Sequence, residues 1–142
     1  MSDTLLARVA ARFSDSRTIT CRAHRPDELT LVSADDRREV TVIEQRRDGE
    51  HAAVLLVWIC HERNADPSQM LRLVSQMGAG AIALVGTAYM VRYTIPAVQL
   101  DSAPLERLVP YLQQVAHAVG SELELRRTVA TEAIVAFEHL AI

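Results

Sequence analysis

The sequence predicts an α+β fold in which helices cover an antiparallel β-sheet, in the order α-β-β-β-β-α-β-β-α-α. Three observations predict it. Apolar residues recur at helical spacing over 3–13, 66–77, 102–125 and 128–140, with strand-like alternation or apolar runs between. The strand-like segments are separated by tight turn signals at Pro26-Asp27, Asp48-Gly49 and Gly86-Thr87, and strands joined so closely are antiparallel. No internal repeat, low-complexity tract or long linker divides the 142 residues. Residues 1–142 therefore read as one domain, long enough to build a core without disulfides or a metal.

The first helix, Asp3 to Phe13, carries Leu5, Leu6, Val9, Ala10 and Phe13 on one side and Arg8 and Arg12 on the other. Such a stripe either covers one end of the sheet or binds a partner. Ile19 and Cys21 alternate with Thr18, Thr20 and Arg22 in the first strand, and Leu29 to Ser33 begins a second. Ala34 to Arg37 turns, and Val40, Val42 and Ile43 carry the third. The fourth strand, Ala52 to Cys60, is apolar throughout. It should lie centrally, with both faces covered or one face against a partner.

Asp66 caps the next helix and Pro67 suits its first turn, while Met70, Leu71, Leu73, Val74 and Met77 form a broad apolar face. Gly78 and Gly80 are expected to end it. Ala81 to Val85 and Tyr89 to Ile95 form a hairpin, with Tyr89, Val91, Tyr93 and Ile95 on one face of the second strand. From Ser102 a helical pattern runs through Leu105, Leu108, Val109, Leu112, Val115, Ala116 and Val119. Pro110 is expected to kink or divide it, because proline removes a backbone hydrogen bond and crowds the preceding turn. A last helix is expected over 128–140, with Val129, Ala133, Ile134, Phe137 and Leu140 on one side, to dock on the sheet or on a second subunit.

Charge and composition narrow the function. The net charge is −3, and Arg37-Arg38 and Arg46-Arg47 are interrupted by Asp35, Asp36, Glu39, Glu44 and Asp48, so no basic face exists to neutralise phosphates. Aromatic residues are only 4%, too few for a base-stacking platform. No nucleic-acid partner is expected. No apolar run reaches membrane-spanning length, and no basic segment leading into an apolar core opens the chain, so a cytoplasmic protein with no membrane partner is expected.

Catalytic and metal chemistry finds little purchase. Cys21-x-x-His24 and Cys60-His61 offer four potential zinc ligands, but neighbours on a strand point to opposite faces and do not share one ion. Packed thiols and surface histidines are the plainer reading. A cysteine nucleophile needs an adjacent base and an orienting group; Cys60 with His51 or His61 and Glu62, or Cys21 with a nearby histidine, is the form a small cysteine-dependent enzyme or redox protein would take here. Asp35-Asp36 reads as a solvated turn. No phosphate-binding loop, dinucleotide glycine fingerprint, nucleophile elbow or two-histidine metalloprotease helix is present. No catalytic, cofactor or metal residue is assigned.

The segments LLARVAARF, VLLVWI, PSQMLRLVSQMG, AIALVGTAYMVRYTIP and PLERLVPYLQQVAHAVGSEL, taken in order, resemble the class I type III secretion chaperones and the related YbjN-like proteins over residues 3–125. The resemblance implies a small bacterial cytoplasmic α+β protein without enzymatic activity, a homodimer that engages a polypeptide client. For such a dimer the apolar stripes offer Met70, Leu73, Val74 and Met77 with Tyr89, Val91 and Tyr93 as the self-interface, each with monomer core as its plainer reading, and Leu5, Leu6, Val9 and Phe13 as a client surface. The C-terminal helix over 128–140 is an addition to the resembled core, and a pI of 5.9 is less acidic than is typical of the secretion chaperones.

Overall fold

The alternating segments become six strands because each tight turn has the residues its geometry requires. The computed structural model describes residues 4–33, 38–78 and 80–140, the side chains of His24 and of 125–140 excepted. Strands β1 (Ile19–Arg25), β2 (Glu28–Ser33), β3 (Val40–Arg47) and β4 (Glu50–His61) form an antiparallel meander. Asp48 and Gly49 both take positive φ, the signature of a type I′ hairpin. Strands β5 (Ala81–Val85) and β6 (Ala88–Pro96) form a second hairpin about Gly86, whose φ of 62° suits the first central position of a type II′ turn. β6 then pairs with β4, so the sheet order is β1-β2-β3-β4-β6-β5 and β5 becomes an edge.

Helices α1 (Leu5–Arg12), α2 (Pro67–Val74) and α3 (Leu105–Leu140) contribute to one core with the inward residues of the sheet. On β4 these are Ala53, Leu55, Val57 and Ile59; on α3 they are Leu105, Val109, Leu112, Ala116, Val119 and Leu123, a stripe at alternating spacings of four and three. The opposite face of the sheet has a smaller cluster. There Val54 and Leu56 are buried between Ile43 and Thr94 and between Thr41 and Arg92 in register, with the Arg92 guanidinium donating to Gln45 Oε1 at 3.1 Å. Trp58 on the same face is 52% exposed. β4 is thus central, as its composition requires, with helices over one face only of its described surroundings.

Three expectations change. The two C-terminal helices are one, Leu105–Leu140, and Pro110 does not divide it. The buried stripe keeps a single phase across Pro110, so packing on both sides outweighs the one missing hydrogen bond. Gly120 lies inside this helix, and a Cβ there would stand 3.0 Å from the Arg38 guanidinium, which passes over it. α2 ends before its glycines. Its last turn closes through Ser75, whose hydroxyl donates to the Arg72 carbonyl at 2.6 Å, and the N–H groups of Gln76 and Met77 bond back three residues. Gly80, at φ 79°, instead turns the chain into β5. The Asp66 cap forms as expected, accepting from Ser68 N–H at 3.1 Å.

Candidate binding surface

Polar cross-links tie α1 to the segment before α3. Arg12, on the flank of α1 away from its apolar stripe, donates to the carbonyls of Leu100 and Ala103 at 3.0 and 2.7 Å and to both carboxylate oxygens of Glu106. That pairing holds the Glu106 carboxyl below its usual range. Arg8 adds a 3.0 Å ion pair with Asp101. The apolar side of the same helix is consumed inward: Leu5, Leu6, Val9 and Phe13, expected as a client surface, are all buried in the core of this chain. They offer a client nothing in this structure, because α1 lies across β2, β3 and β4.

The residues expected at the self-interface divide. Met70, Leu73 and Val91 are buried in the core, and Met77, Tyr89 and Tyr93 are partly buried against it. Val74 is half-buried. What lies exposed in the same region is different: Leu71 is 71% exposed on α2, and Leu84 and Val85 are 53% and 40% exposed on β5. Sequence reading did not single out β5 as a surface, because a five-residue apolar run looks the same at an edge and in a centre. One signal was present. No Asp, Glu, Lys, Arg or His stands between Arg72 and Arg92.

Between α2 and α3 runs a groove of 430 Å³ lined by Leu73, Gln76, Met77, Gly78, Tyr111, Val115, Ala118, Val119 and Glu122. Its floor is apolar and adaptable, with methionine and tyrosine, and its rim carries an amide and a carboxylate. A second cleft, 290 Å³, lies at the far end of β4 and is lined by Arg38, Trp58, Ile59, Cys60, Asn64, His117, Gly120, Ser121, Leu123 and Glu124. Arg38 donates to the Trp58 carbonyl at 2.7 Å, and buried Gln113 donates to the Arg38 carbonyl at 2.6 Å, so this wall is tied to α3.

Cys60 is not placed as its expected pairs require, and the His24 side chain beside Cys21 lies outside the described residues. His51 is nine residues from Cys60 along β4, about 30 Å of strand, and pairs with Glu44. His61 caps the short 3-10 turn Glu62–Asn64, its Nδ1 accepting from Arg63 N–H at 3.2 Å. The histidine that shares a cleft with Cys60 is His117, 57 positions later on α3, a neighbour that no sequence spacing announces. Cys21 is half-buried in β1, and burial pushes its thiol up, away from the reactive thiolate. Among the described residues no group of three or more His, Cys, Asp or Glu is placed to hold a metal ion, and the Asp35-Asp36 turn lies outside them. No described helix is long and apolar enough to cross a membrane.

No protein-family model, curated protein or solved structure matches this chain.

Proposed function

We propose that this chain is a non-enzymatic, chaperone-like binding protein that works as a homodimer and engages a polypeptide client, the role that its resemblance to type III secretion chaperones and YbjN-like proteins implies. One observation carries the reading: an open groove with an apolar floor and polar rim lies between α2 and α3, beside a sheet edge free of charge. A groove of this kind takes side chains of an extended or helical segment without demanding one sequence. Met77 is its adaptable contact and Val115 a fixed apolar one; Gln76 and Glu122 on the rim orient the bound backbone. The client surface moves from α1, whose apolar side is used up, to this groove.

Binding to a reduced, alkylated test polypeptide, followed by fluorescence anisotropy, tests the proposal. The wild type should bind, and Met77→Asp with Val115→Asp should weaken binding roughly tenfold or more, the scale of losing two buried apolar contacts. Equal binding by the folded variant would remove the groove as the client site.

A second reading, thiol chemistry, draws on the cleft that Cys60 shares with His117, Asn64 and Glu124. Native-state alkylation decides it. A Cys60 that reacts no faster than a free thiol, with a rate that His117→Ala leaves unchanged, ends that reading.

A further inference from the structure

The two edges of the sheet are built differently. β1 reads ITCRAHR, has Arg22 and Arg25 exposed, and is broken by a bulge between Ala23 and Arg25. Charge and bulging are the devices by which an edge refuses another strand. β5 reads AIALV and has neither. Among the described residues no strand pairs with its outer side, and the exposed Leu84 and Val85 make that side an apolar template.

We infer that the β5 edge is closed by the β5 edge of a second copy of this chain, antiparallel and centred on Ala83, joining two six-stranded sheets into one. The inference rests on the homodimeric reading above and names its seam. The segment is self-complementary about Ala83. Antiparallel pairing sets Ile82 opposite Leu84 of the partner subunit on the helix-covered face, and Ala81 opposite Val85 of the partner subunit on the open face. Apolar residues meet apolar residues in every pair, and no charge within the stretch from Leu73 to Val91 is buried or opposed.

Pairing about a two-fold axis uses up both templates at once. The charged, bulged β1 edges remain at the outside, so the assembly stops at two instead of growing into a fibre. A loose peptide on β5 would leave the template bare whenever it dissociated; a second copy is always at hand.

Size argues for a contribution from α2. A five-residue ladder is about 17 Å long, and a stable interface needs roughly 800 Å² from each partner. α2 packs on β5, and its Leu73 lines the groove toward α3 with Met77 just beyond it, so Leu71, two residues before Leu73, points away from that groove. Leu71, 71% exposed, is the side chain best placed to extend the seam.

The test is mass by light scattering on the full chain, with thiol cross-linking to read the register. The wild type should run at twice 15.7 kDa. Leu84→Lys with Val85→Lys should raise the dimer dissociation constant roughly a hundredfold or more, because unpaired ammonium groups would be forced into the seam. In a Cys21→Ser, Cys60→Ala background, Ala83→Cys should form a covalent dimer with a short bis-thiol reagent, since Ala83 faces itself across about 5 Å. Ala81→Cys should not, being about 14 Å from its own copy. The cross-linking arm stands even where the lysine variant fails to fold.

A dimer that survives the lysines, or cross-links equally at 81 and 83, overturns the seam and leaves the homodimeric reading in place. A wild type that stays at 15.7 kDa overturns both. A monomer whose test polypeptide is lost on Leu84→Lys assigns the edge to the client and overturns the inference.

Discussion

The β1 end and the β5 end of one sheet show two ways of finishing a β-layer. At the β1 end the strand carries its own charges, and the helix above that half is stapled to the rest of the chain by Arg8 and Arg12, which reach residues 97–106. At the β5 end the strand is apolar, and the side-chain hydrogen bonds of Asp66 and Ser75 stay within α2. The first end is complete in itself. The second sets exposed apolar side chains along a strand side that no described strand pairs with, which is costly to maintain in a lone monomer and useful in an interface.

The contrast is broken most forcefully by disarming the guarded edge. Arg22→Val with Arg25→Val should give β1 the apolar character of β5, and the protein should grow into large, concentration-dependent assemblies visible by light scattering. Next in size is the entry to β5. Gly80 has φ 79°, and a Cβ there would stand 3.0 Å from the Arg92 carbonyl, so Gly80→Ala should cost about 2 kcal/mol in urea unfolding. A stable Gly80→Ala protein would mean that β5 contributes little to the folded monomer.

On the stapled side, Arg12→Ala removes hydrogen bonds to three carbonyls and a carboxylate and should cost about 1–2 kcal/mol by the same unfolding measurement, with the oligomeric state unchanged. The smallest effect is its pH dependence. Because the Arg12 hydrogen bond depresses the folded Glu106 pKa, its contribution is present above the unfolded glutamate value and is lost as pH falls through the folded one. The stability gap between wild type and Arg12→Ala should therefore narrow on acidification, and only slightly, since Glu106 is half exposed.

Local chemistry made most of the fold legible. Asp48-Gly49, Gly86-Thr87 and Asp66-Pro67 each specify a turn or cap from adjacent residues, and each forms where it is read. What was not legible is non-local. Nothing in the hairpin Ala81–Pro96 says which of its strands joins β4, yet that choice makes β5 an edge. The stripe Leu5, Leu6, Val9 and Phe13 announces burial without saying against what; the sheet took it before any client could. Pro110 announces a break that a stripe in one phase over 105–123 overrides. The meeting of Cys60 with His117 depends on how α3 crosses the end of β4, and no spacing along the chain encodes it.

Trp58 is the only tryptophan, and it stands half exposed on the face of the sheet opposite the helices. The molecule therefore carries one optical label, set on that face beside the cleft at the end of β4. Its emission should be that of a wet indole and should pass unchanged through edge-to-edge association at β5, which lies two strands away. A shift to the blue, or protection from iodide quenching, would report something landing on the open face itself.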